Sequence, residues 1–112
     1  MSASGRPVPA PCIPDAKIGG YLLDVTHAEG GPKAAFFLSR GFSRDDPRPF
    51  IQALLDYGQP HTFVRYERNS YVTKLIHEGP MPMPDGSAPR IRSVWRLIED
   101  DRLMVLVTAY AF

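Results

Sequence analysis

The chain has 112 residues, of which 44% are hydrophobic and 22% charged, and its formal net charge is +1 at pH 7. That is enough for one domain around one modest core. It excludes a membrane-spanning helix, because no apolar run approaches the roughly 20 residues required. It also excludes a global electrostatic attraction to nucleic acid, so any anion site must be local.

Residues 1–14 hold four of the 12 prolines and are expected to form a disordered leader without a signal-peptide pattern, which makes the cytoplasm the expected compartment. Cys12, the single cysteine, has no partner for a disulfide or a zinc site. The ordered domain is expected over 15–112. Asp15 can cap a first helix of two or three turns, with Ile18, Leu22 and Leu23 on one face and Gly19-Gly20 weakening it. Pro32 opens a second helix over 32–40, which Gly41 stops and Phe42 covers. The third helix is capped by Asp46, begins at Pro47, buries Phe50, Ile51, Leu54 and Leu55, and ends at Gly58.

The second half alternates as strands do. Strands are expected over 61–68, 71–78, 91–98 and 103–110. Asn69-Ser70 makes a hairpin turn, Pro84-Asp85-Gly86 a loop turn and Glu99-Asp100-Asp101 a tight acidic turn. The expected fold is α+β, with three N-terminal helices packed on one face of a four-stranded antiparallel sheet. Phe36, Phe37, Phe42 and Phe63 are expected in the core.

Chemistry concentrates at His27-Ala28-Glu29-Gly30-Gly31-Pro32-Lys33. A glycine turn that opens a helix offers backbone N–H groups to an anion, and Lys33 adds a full charge where the helix dipole disfavours one. The turn is not a nucleotide P-loop, since it lacks the upstream strand and the Ser/Thr after lysine. His27, His61 and His77 share no metal-ligand spacing, and no serine has a nucleophile-elbow context, so no metal or cofactor is called for. A metal-independent ribonuclease needs a base, an acid and cations around a phosphate. His27, Lys33, Arg92 and Thr108 supply those types as catalytic candidates, and Lys74, Trp95 and Tyr110 are candidates for substrate binding. Trp95 and Tyr110 could stack on a base, although Trp95 is more often the core aromatic of a four-stranded sheet. A solvated loop histidine and an exposed first-turn lysine are the plain readings of His27 and Lys33.

The chain resembles a group of small bacterial domains of unknown function. The shared blocks are Ile13-Pro14 with Lys17, Tyr21-Leu22-Leu23, His27 through Phe37, Gly41-Phe42, Gly79-Pro80, Pro84-Asp85-Gly86, Val94-Trp95 and Val107-Thr108-Ala109-Tyr110. They span residues 13–110 in order. Tyr71-Val72-Thr73-Lys74 departs from the group's Tyr-Gly-x-Lys. In layout such domains are similar to the barnase–EndoU–colicin–RelE toxin ribonucleases. That resemblance implies an RNA-cleaving toxin or toxin-derived domain, with RNA as substrate and a small inhibitor or immunity-type protein as partner, acting as a monomer or homodimer. The competing reading is a non-catalytic interaction module that uses Leu103–Tyr110 as a pairing edge.

Overall fold

The computed structural model describes residues 9–28, 30–57, 62–99 and 101–112, without the side chain of Asp15. His61, the Gly58 stop and the Asp15 cap lie outside the described residues. In chain order the elements are β1 (Ala10–Cys12), α1 (Asp15–Lys17), a π-helical turn (Ile18–Leu22), α2 (Gly31–Ser39), α3 (Arg48–Tyr57), β2 (Phe63–Arg68), β3 (Thr73–Pro80), β4 (Arg90–Ile98) and β5 (Leu103–Ala111).

The chain is α+β, but the expected four-stranded antiparallel sheet is corrected to five strands in the order β1-β5-β4-β3-β2. The extra strand comes from the segment read as a leader. Ala10, Pro11 and Cys12 pair in parallel with Leu103, Met104 and Val105. Proline fits there because an outermost strand needs hydrogen bonds on one side only. The first of the three expected helices is also corrected. It is one helical turn that widens at once, with the Leu23 N–H bonded to the Ile18 carbonyl five residues back. Gly19-Gly20 fall in this widened turn, where their low helix propensity does least harm. The turn still buries Ile18, Leu22 and Leu23.

The other two helices form near their expected places, but α3 begins at Arg48 rather than Pro47, and Ile51 and Leu55 are only half-buried. Gly41 ends α2 at φ 108°, a conformation that glycine adopts without strain, and Phe42 folds back against Phe37 and Phe50. Helix α3 buries Phe50, Leu54 and Tyr57. The Tyr57 hydroxyl donates to the Ile91 carbonyl and ties α3 to the sheet, and burial pushes its pKa up. Phe63 is corrected from core to a partly exposed residue of β2, whose six residues are all exposed because it is the outer strand.

Residues paired in register share a face. Leu75, Trp95 and Leu106 lie side by side on the helix-covered face, with Ile91, Met104 and Ala109 in the same core. The opposite face carries three rows: Glu78–Arg92–Tyr110, Ile76–Val94–Thr108, and Lys74–Arg96–Val105. A β-bulge between Val94 and Trp95 decides which face Thr108 joins. Strict alternation would put Thr108 with Leu106 in the core, and the extra residue, Val107, turns it to the other side.

Leu103–Tyr110 is therefore not the free edge that the interaction-module reading requires. Strand β5 lies between β4 and β1, and β1 occupies its outer side over residues 103–105. Among the described residues, no helix is long and apolar enough to cross a membrane.

Candidate functional site

Beyond the reach of β1, the outer part of β5 meets the π turn and the start of α2. Here the Lys33 ammonium donates to the Tyr21 hydroxyl at 2.7 Å and to Thr108 Oγ1 at 2.9 Å. The two oxygens are 3.0 Å apart and share a hydrogen bond of their own. Three side chains from three elements thus form a closed triangle. Lysine has three N–H groups, and the third has no partner among the described residues.

Tyr21 stands at the centre of this arrangement. Partial burial raises its pKa, but the hydrogen bonds from Lys33 and Thr108, with the charges of Lys33 and Lys17, outweigh that and hold it below the ordinary 10.0. The ring of His27 meets the Tyr21 ring edge-on, with centroids 4.9 Å apart. His27 Nδ1 accepts the Gly30 N–H at 2.9 Å, so in the neutral ring the proton is on Nε2.

This geometry revises the reading of the glycine turn. Gly30 N–H is taken by the His27 ring and Gly31 N–H by the His27 carbonyl. Those amides are not an open anion cradle. Instead the glycine clears space for Tyr21, since a Cβ on Gly30 would lie 2.6 Å from Tyr21 Cδ1 and 2.7 Å from its carbonyl oxygen. Gly30→Ala is therefore expected to destabilise the protein by about 1–3 kcal/mol and to displace Tyr21 from Lys33. Urea denaturation checks this against Gly20→Ala, whose Cβ meets nothing within 4 Å and whose midpoint is expected to hold.

A second cation reaches the same region across Tyr110. Lys33 Nζ lies 5.4 Å from the Tyr110 ring centroid and the Arg92 guanidinium 5.8 Å from it. Arg92 also donates to the Tyr110 hydroxyl at 3.4 Å and to the Glu78 carboxylate at 2.6 Å. Tyr110 and Glu78 together raise its pKa, so it is a permanent charge.

His27, Lys33, Thr108, Tyr110 and Arg92 are thus linked through direct contacts and the Tyr21 ring. Lys74 sits on the same face one row beyond Thr108, beside Arg96. Trp95 is corrected as a substrate-binding candidate. It is fully buried, its indole N–H donates to Ser93 Oγ at 2.7 Å, and no face of it is open to a base. Sequence reasoning missed two residues of the site, Tyr21 and Glu78. Tyr21 carried a signal, because an aromatic hydroxyl heads the Tyr-Leu-Leu block just before the glycine turn. Glu78 carried none, since its pairing with Arg92 depends on strand register. No group of three or more His, Cys, Asp or Glu among the described residues is placed to hold a metal ion.

Fold and site together define a small α+β domain in which a lysine and a tyrosine from the helical segment meet a threonine on one strand of a mixed sheet. The chain belongs to the DUF6883 family, described as a domain of unknown function, which it matches over residues 8–112. A search of curated proteins returns no match. Among solved structures the chain is similar to one chain of a contact-dependent growth inhibition toxin–immunity protein complex from Klebsiella pneumoniae 342. The TM-score is 0.71 at 15% identity, covering 89% of this chain and 98% of that one. At that identity the likeness establishes a shared fold.

Proposed function

We propose that the protein is a ribonuclease-like toxin domain that cleaves RNA without a metal ion. The observation that carries this reading is the Lys33–Tyr21–Thr108 triangle with His27 against its edge and Arg92 one tyrosine away. It links two titratable groups and two cations through the Tyr21 and Tyr110 rings, the group types that proton transfer at a phosphodiester needs.

Lys33 and Arg92 hold the non-bridging phosphate oxygens and offset the charge that grows on them. Tyr21, in the phenolate form that Lys33 and Thr108 favour, takes the proton of the RNA 2′-hydroxyl. The 2′-oxygen bonds to phosphorus and the bond to the 5′-oxygen breaks; His27, entering the step as the imidazolium with its Gly30 contact released, gives its Nε2 proton to that leaving oxygen and returns to the neutral ring. The products are a 2′,3′-cyclic phosphate and a 5′-hydroxyl. Thr108 orients Lys33 and Tyr21, and Tyr110 spaces the two cations. The fold shared with a chain of a toxin–immunity complex supports a small inhibitor protein as partner, and an RNA target places the action in the cytoplasm.

The test incubates purified protein with end-labelled RNA in EDTA. Cleavage is expected, with cyclic phosphate ends, and a single 2′-deoxynucleotide at the cleaved position is expected to block it. RNA that stays intact across several substrates overturns the reading.

A further inference from the structure

The row next to Thr108 has its own cluster of cations. Lys74 pairs in register with Arg96, and Arg96 with Val105. Two residues along a strand separate this row from Val94 by about 7 Å. A groove of about 840 Å³ runs along it, with Lys17, Tyr71, Lys74, Arg96 and Val105 in its lining. Lys17, Lys74 and Arg96 make no ion pair among the described residues. The two carboxylates on the same face, Glu67 and Glu78, are engaged by Arg65 and Arg92.

Two further observations give the groove a direction and a chemistry. The Lys17 ammonium lies 5.2 Å from the centroid of the Tyr21 ring, and Lys33 lies 5.2 Å from that same centroid, so the cations continue without a break into the Lys33 site. Tyr71, in the groove lining, is 95% exposed. An aromatic ring held in water beside unpaired cations suits a ligand with flat faces and regularly spaced negative charges.

We infer that this groove binds single-stranded RNA adjoining the cleaved phosphate. Lys17, Lys74 and Arg96 hold successive backbone phosphates, and Tyr71 stacks on a base. The binding claim stands on the groove alone, and only its relation to cleavage rests on the ribonuclease reading. An acidic protein is the competing occupant.

The test measures fluorescence anisotropy of a 2′-O-methyl oligoribonucleotide of about 12 nucleotides, which the proposed chemistry cannot cut, over a salt series. Replacing Lys17, Lys74 and Arg96 together by alanine is expected to reduce the slope of log affinity against log salt by about 2, at roughly 0.7 per phosphate contact. Tyr71→Ala is expected to weaken binding about tenfold. Exchanging Lys74→Arg with Arg96→Lys is expected to preserve the slope, because a phosphate contact needs the charge. Unchanged melting curves verify that each variant folds. If the triple variant keeps the affinity and slope of the parent, the groove proposal fails even where Lys33-dependent cleavage is seen. Loss of an acidic protein partner with RNA binding intact overturns it as well. If RNA is never cut yet the slope falls as stated, the groove stands and the ribonuclease reading fails.

Discussion

Replacing Lys33 by alanine is expected to lower RNA cleavage by about 100- to 1,000-fold while the protein stays folded. The magnitude is that of removing one preorganised donor to a developing charge. Lys33 also acts on Tyr21, through a 2.7 Å hydrogen bond and through its charge. Its loss is expected to return Tyr21 towards 10, which a titration of phenolate absorbance measures directly. The fold survives because Tyr21 and Thr108 keep their mutual hydrogen bond. The sign of the pH effect supports this. Tyr21 has a lower pKa in the folded state than the ordinary 10.0, so its ionisation favours folding. That contribution is complete above pH 10 and is lost as the pH falls through the folded value. Lys33→Ala is therefore expected to lower stability most above pH 10, and its effect through Tyr21 fades as the pH falls through the folded value. A Lys33→Ala protein that cuts RNA at the parent rate, with Tyr21 titrating unchanged, would falsify the assignment of the site.

The largest stability effect is expected at Trp95. Truncation to alanine removes a fully buried indole from between the helices and the sheet. The expected cost is about 3–5 kcal/mol, against a total of about 5–15 for a domain of ordinary stability. Trp95→Phe isolates the polar part. It keeps most of the ring but leaves Ser93 Oγ, also fully buried, without its indole donor, at a cost of about 1–3 kcal/mol. Adding Ser93→Ala removes the stranded hydroxyl and is expected to recover part of that loss, which a double-mutant cycle in urea reads as coupling. Trp95→Phe is expected to leave the affinity for RNA unchanged. A stacking residue would behave in the opposite way.

Much of the helical half was legible in the sequence. The apolar spacing of α3, the stop at Gly41 and the return of Phe42 are local features, and local chemistry decides them. The sheet was legible strand by strand but not in its order. Nothing within residues 10–12 announces a strand, because its partners lie more than 90 residues further along the sequence and Pro11 suits an unpaired segment equally well. The bulge at Val107 was hidden for a related reason. Val107-Thr108 continues the alternation of its neighbours, and only the pairing with β4 shows that the pleat slips there. Lys33, Thr108 and His27 stood out as candidates because their types are chemically distinctive. Tyr21 was passed over because it sits among buried leucines, where an aromatic reads as packing. Trp95 shows the converse, since a large aromatic on a strand reads first as core, and its burial settles it there rather than on a binding surface.

The short parallel pairing of β1 with β5 also bears on the order of folding. Ala10 bonds to the segment at Leu103, so closing the sheet joins two ends of the chain and incurs the full entropy of a long loop. Tyr21 and Lys33 are synthesised before Thr108 and Tyr110, which arrive with β5. A chain still emerging from the ribosome therefore holds a lysine and a tyrosine with nothing to complete them. Under the ribonuclease reading, the activity exists only once β5 has been made and has met Tyr21 and Lys33, which sets the moment by which an inhibitor must already be present.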